Sequence, residues 1–135
     1  MVQARPATGA TRAPIAFQPV HVVTRRHERP PWTVISVSGD LDVVGAPELR
    51  QEVVSAVAGG DVCLILDLTD VEFIDSFGLG VVIGSVKRVR QRDGDLALVC
   101  PEPRVRRVFE LCDLDRVLPL HLTLADVPDP TGASR

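Results

Sequence analysis

Along "QPVHVVTRRHE", Val20, Val22 and Thr24 alternate with their neighbours, and this period of two predicts a half-buried strand at the edge of a sheet. A turn over Glu28 to Pro31 follows. In "WTVISVSG" both alternating sets, Trp32, Val34 and Ser36 against Thr33, Ile35 and Val37, carry large apolar residues, as in a strand covered on both faces. The two segments are expected to pair as an antiparallel hairpin. In "GDLDVVGAPELRQEVVSAVAGG" the apolar residues change period. Leu49, Val53, Ala56 and Val57 share one helical face, Pro47 suits the first turn, and Gly59-Gly60 stop the helix.

The unbroken run "VCLILDL" predicts a central parallel strand. Leu79, Val82, Ile83, Val86 and Val89 then predict a helix that begins near Phe77 and ends by Asp93-Gly94. "DLALVC" is a further strand. "PEPRVRRVFELCD" is a helix that turns Val105, Val108, Phe109 and Cys112 inward. Strands alternating with helices predict an α/β fold with right-handed crossovers: a mostly parallel sheet of four to five strands, an antiparallel edge strand, and helices packed on it. Residues 1–17 are expected to form a disordered arm, 18–126 the domain, and 127–135 a flexible tail.

Composition adds limits. A chain of 135 residues suits one core; 45% of its residues are hydrophobic and 24% charged, with no run apolar enough for a membrane span. A formal charge of −3 argues against direct nucleic-acid binding, which needs a clustered basic face. Lys87 to Arg92 and Arg104 to Arg107 read as solvated helix surfaces. Cys63, Cys100 and Cys112 lack C-x-x-C spacing, sit among apolar neighbours and read as buried thiols in a reducing cytoplasm, with no metal or cofactor implied. "MVQARPATGATRAPIAF" lacks the apolar stretch of a secretory signal, and its prolines interrupt the helix of a transit peptide.

The candidate chemistry lies in "VEFIDSFGLGVVIGSV". Asp75 and Ser76 stand where a helix starts, so one reading is plain capping. Three glycines in one helix each cost about 1 kcal/mol against Ala, which points instead to close approach. Gly78 is placed to admit an outside partner to bare backbone, and Gly80 and Gly84, one turn apart, to admit a neighbouring strand or helix. An esterase elbow would need Gly where Ile74 stands, and His21, His27 and His121 read as surface or pairing residues, so a hydrolase is not indicated. Neither glycine-rich phosphate-loop pattern is present. In this fold "GDLD" and "DSFG" should emerge on the same rim.

With "VISVSGDLDVVGAPELRQEV", the stretch from "VCLILDLTDVEFIDSFGLG" to "RVRRVFELCDLDRVLPL" resembles the STAS domain in its bacterial anti-sigma factor antagonist form, over roughly residues 20 to 125. The resemblance implies a non-enzymatic protein that binds an anti-sigma factor, usually a serine kinase of the histidine-kinase-like ATPase fold, and so frees a sigma factor. It also implies that Ser76 is the phosphoacceptor, reset by a phosphatase, with Asp42, Asp75, Phe77 and Gly78 at the partner contact.

Phe77 stands where the family often has a second hydroxyl; it either anchors the partner or packs inward. Asp113 replaces a usual Gly, which a left-handed cap tolerates. Pro128 and Pro130 cut short the final helix. No Arg or Lys is close to Ser76 in sequence, whereas Asp40, Asp42, Asp70, Glu72 and Asp75 are, so a phosphate is expected to repel a partner. The alternative function is a non-phosphorylated STAS adaptor of a transporter or signalling scaffold.

Overall fold

A computed structural model describes residues 18–130. The arm over residues 1–17 and the last five residues of the chain lie outside the described residues. Strands β1 (His21–Arg29) and β2 (Trp32–Leu41) lead to helix α1 (Ala46–Ala58), strand β3 (Cys63–Ile74), helix α2 (Ser76–Arg90), strand β4 (Asp95–Val99), helix α3 (Pro103–Leu111) and the short strand β5 (Leu120–His121). The sheet order is β1-β2-β3-β4-β5, antiparallel at β1–β2 and parallel elsewhere, as the alternation of elements predicts. The hairpin turn is tighter than expected: β1 runs through Arg29, which pairs with Trp32.

One sheet face carries the main core. Ile35, Val37, Leu64, Leu66, Leu96 and Leu98 meet Leu49 and Val53 of α1, Val82, Val86 and Val89 of α2, and Val105 and Phe109 of α3. All three helices thus cover this face, and the parallel pairing of β2 with β3 sets α1 beside α2. Phe109 is fully buried, so its aromatic area is wholly removed from water.

The opposite face holds a smaller cluster of Trp32, Val34, Cys63, Ile65, Ala97 and Val99, and Val127 and Leu124 close over it. Val127 and Pro128, the first residues of the segment expected to be a flexible tail, are held against the sheet. Val127 is 1% exposed, the Trp32 indole Nε1 donates to the Pro128 carbonyl at 2.9 Å, and Arg29 donates to the Val127 carbonyl. The two prolines do end helical structure, but an extended chain covers the face just as well. Its carbonyls serve donors that the sheet cannot. Trp32→Phe keeps most of the buried area and loses the indole bond, so it should lower stability by about 1 kcal/mol in urea unfolding followed by circular dichroism. A loosely held tail would leave the midpoint unchanged.

Candidate functional site

Parallel pairing of Asp40 with Phe73 and Leu41 with Ile74 brings the β2–α1 and β3–α2 loops to one rim. The Asp75 amide also donates to the Leu41 carbonyl at 3.2 Å, fixing one loop to the other. Asp75 is the N-cap of α2: its Oδ1 accepts from the Phe77 and Gly78 amides at 2.8 and 3.1 Å. The capping reading is therefore correct for Asp75, and the cap is a structural need of any helix starting here. Ser76 is the first helical residue, and it is exposed.

Asp42 closes the turn that leads into α1. Gly45 offers no side chain to cap α1, and Asp42 Oδ1 accepts from the Val44 and Gly45 amides at 3.0 and 2.8 Å. Both carboxylates expected at the partner contact thus already serve their own backbone. Asp70 lies in a hollow with His21, Val23, Arg25 and Ser36, whose strand residues alternate with those facing α1. Of the acids expected around Ser76, Asp42 and Asp75 are thus turned to backbone amides and Asp70 to the other side of the sheet.

The exposed side chains on the rim that carries Ser76 are instead apolar. Val43 and Val44 on one loop, Phe73 at the end of β3 and Phe77 beside Ser76 are each at least half exposed, Phe77 at 58%. Of the two placements open to Phe77, the outward one is found. Large exposed side chains gathered on one rim mark a contact surface. Sequence reasoning missed Val43, Val44 and Phe73. Their signal was available, as apolar residues in a loop and at a strand end where no core periodicity requires them.

The glycines exchange the roles expected of them. A Cβ on Gly78 would stand 2.4 Å from the Leu41 carbonyl oxygen and 2.8 Å from Ile74 Cγ1. Gly78 therefore faces the β2 end and is buried, and it is not open to a partner. A Cβ on Gly80 or Gly84 would meet nothing within 4 Å. These two open a groove of about 340 Å³ between α1 and α2, walled by Ser76, Phe77 and Val81 on one side and by Arg50 and Val53 on the other, with Arg88 also lining it. Arg50 is thus in the groove with Ser76 although it lies far from it in sequence.

The other candidate chemistry disperses. His21 is on β1, His27 on the same edge strand and His121 on β5 at the opposite edge. Cys63 and Cys100 are buried, as expected, but Cys112 is exposed, because α3 ends at Leu111 and the chain turns away there. Burial pushes the Cys100 thiol up to about 11, with Arg106 acting in the opposite sense, and burial raises Cys63. Above the ordinary thiol value of 9.0 the unfolded chain loses a proton that folded Cys100 keeps, so stability should fall from pH 9.0 toward about 11. At pH 8 a disulfide reagent should modify Cys112 alone in the native protein and all three thiols in denaturant. Rapid reaction of two native thiols would contradict this placement.

The STAS domain family model matches residues 21–127. The chain is 36% identical over 85 residues to the anti-sigma-B factor antagonist of Bacillus subtilis, covering 62% of this chain and 76% of that one. It is 34% identical over 84 residues to the anti-sigma-B factor antagonist of Listeria monocytogenes, covering 62% and 74%. Among solved structures, an anti-sigma factor antagonist from Mycobacterium paratuberculosis superposes with a TM-score of 0.71 at 34% identity, over 79% of this chain and 89% of that one. The anti-sigma factor antagonist SpoIIAA in its unphosphorylated form gives 0.66 at 25% identity, over 78% and 91%. The family model spans most of the chain, and the chain belongs to the STAS domain family.

Proposed function

We propose that this chain is an anti-sigma factor antagonist. It binds an anti-sigma factor that is also a serine kinase, and a sigma factor is thereby freed. Phosphorylation of Ser76 turns the binding off, and a phosphatase restores it. Among the described residues no helix is long and apolar enough to cross a membrane, and the reading places the protein in the cytoplasm, where sigma factors act.

The observation that carries the reading is the exposed Ser76 at the start of α2, set beside Phe73, Phe77, Val43 and Val44. A kinase must reach its acceptor oxygen, and a partner must find area to bury; this rim supplies both. The chain is the substrate of the chemistry. Ser76 Oγ bonds to the γ-phosphorus of ATP, its proton passes to a base of the kinase, and ADP leaves. The product carries about −1.5 to −2 charges at a helix start, which backbone amides and the helix dipole tolerate, so the fold persists.

The test uses the kinase-fold anti-sigma factor from the same organism, with ATP and intact-mass and fragment spectrometry. One phosphate per chain, located on Ser76 and absent from Ser76→Ala, is the expected result. A phosphate on another serine, or none with a kinase that modifies its other substrates, would overturn the assignment.

A further inference from the structure

We infer that the groove between α1 and α2 is an internal phosphate slot: once Ser76 carries its phosphate, Arg50 holds it, and Arg88 adds positive potential from farther along α2. The inference rests on the reading of Ser76 as the acceptor, and it revises the way the modification acts. Among the described residues, those lining the groove include Ser76, Arg50 and Arg88 and not one carboxylate.

Among the described residues both guanidinium groups are uncommitted. Three and four residues from Arg50 in either direction stand Ala46, Pro47, Val53 and Val54, and around Arg88 stand Gly84, Ser85, Gln91 and Arg92, so neither has an acid one helical turn away. Among the described residues neither makes an ion pair, whereas Arg25, Arg26, Arg29, Arg104 and Arg106 each have a carboxylate within 4.0 Å. The acids beside Ser76 are otherwise engaged, Asp75 and Asp42 each on two backbone amides. Gly80 leaves the space beside Ser76 open, since a Cβ there would meet nothing within 4 Å.

An anion attached to Ser76 therefore has an open volume of matching charge at its side. Arginine is suited to it, with a planar fork that matches phosphate oxygens. The phosphate so held would fill the groove mouth and withdraw Arg50 from any acidic partner group. Switching then comes from occupation of a positive slot and loss of its free cation, in place of repulsion from a ring of acids.

The test installs phosphoserine at position 76 by genetic incorporation and follows the second ionisation of the phosphate by phosphorus NMR. Arg50 favours the dianion, while the carboxylates of Asp42 and Asp75 at the rim and the exposed Glu48 on α1 oppose it equally in every variant. Arg50→Gln should raise the phosphate pKa by about half a unit or more, Arg88→Gln by less, and Arg50→Lys should restore most of the shift. Equal titration in wild type and Arg50→Gln, or no recovery with Lys, would overturn the slot. The phosphate is installed without a kinase, so that failure would leave the proposed function standing, and failure of the kinase assay would leave the titration intact.

Discussion

Phosphorylation of Ser76 is expected to weaken the complex with the anti-sigma factor about a hundredfold, and Ser76→Asp about tenfold, while neither lowers the stability of the chain. The order follows from charge. A docked partner would cover a rim made of Val43, Val44, Phe73 and Phe77, and a charge on Ser76 beside them would lose water on docking and occupy Arg50. Phosphate brings nearly two charges and fills the groove mouth; aspartate brings one and is shorter. At an effective dielectric near 20, taking Arg50 from an acidic partner group about 6 Å away forfeits about 3 kcal/mol, near a hundredfold, and solvent at the rim of a contact reduces it for the smaller group.

Stability moves the other way. Ser76 is the first residue of α2, where an added negative charge meets the positive end of the helix dipole and gains a few tenths of a kcal/mol. Calorimetric titration of the partner into wild type, phosphorylated protein, Ser76→Asp and Ser76→Ala, with an unfolding curve for each, separates the two effects. Ser76→Ala should bind as wild type does. If phosphorylated protein binds equally well, the modification is not the switch; if it binds poorly only because it unfolds, the rim is not the contact.

Much of this arrangement was legible from periodicity. Alternation in β1 and two-sided apolarity in β2 gave the antiparallel edge and the covered strand, and the acid at the α2 start gave its cap. Periodicity reports which face of an element is buried, and not what that face meets. Arg50 could be read as an exposed helix residue, but its presence in the groove with Ser76 depends on α1 and α2 crossing the same sheet face side by side.

The docking of Val127 and Pro128 was not legible for a related reason. Pro128 and Pro130 were informative about helix and silent about docking, because the bonds that hold the segment come from Trp32 and Arg29, nearly a hundred residues earlier. The glycines could have been assigned from the pattern itself. Gly78, Val82, Ser85, Val86 and Val89 form the buried stripe of α2, and Gly80 lies about 200° around the helix from Gly78. Loss of helix propensity pointed to close approach at all three, with an outside partner expected at Gly78 and a neighbouring element at Gly80 and Gly84; their angular positions put Gly78 inward and Gly80 outward.

Alanine substitution at Gly78 and at Gly80 should therefore change stability in opposite directions. At Gly78 the new methyl would stand 2.4 Å from the Leu41 carbonyl oxygen and 2.8 Å from Ile74 Cγ1. The carbonyl has little freedom to move, being part of β2 and accepting from the Asp75 amide. Relief thus requires the start of α2 to shift away from the strand, at the overpacking cost of about 1–3 kcal/mol, against a propensity gain of about 1 kcal/mol.

At Gly80 only the gain remains, since nothing lies within 4 Å of the added carbon. The two variants should differ by about 2 kcal/mol in urea unfolding, Gly78→Ala below wild type and Gly80→Ala above it. Binding adds a second contrast. Gly80→Ala narrows the groove while improving the helix, so any loss of partner affinity there cannot be blamed on the fold, whereas loss in Gly78→Ala accompanies displacement of Ser76. A Gly78→Ala protein as stable as wild type that nonetheless fails to bind would return Gly78 to the partner contact and remove the structural role assigned to it.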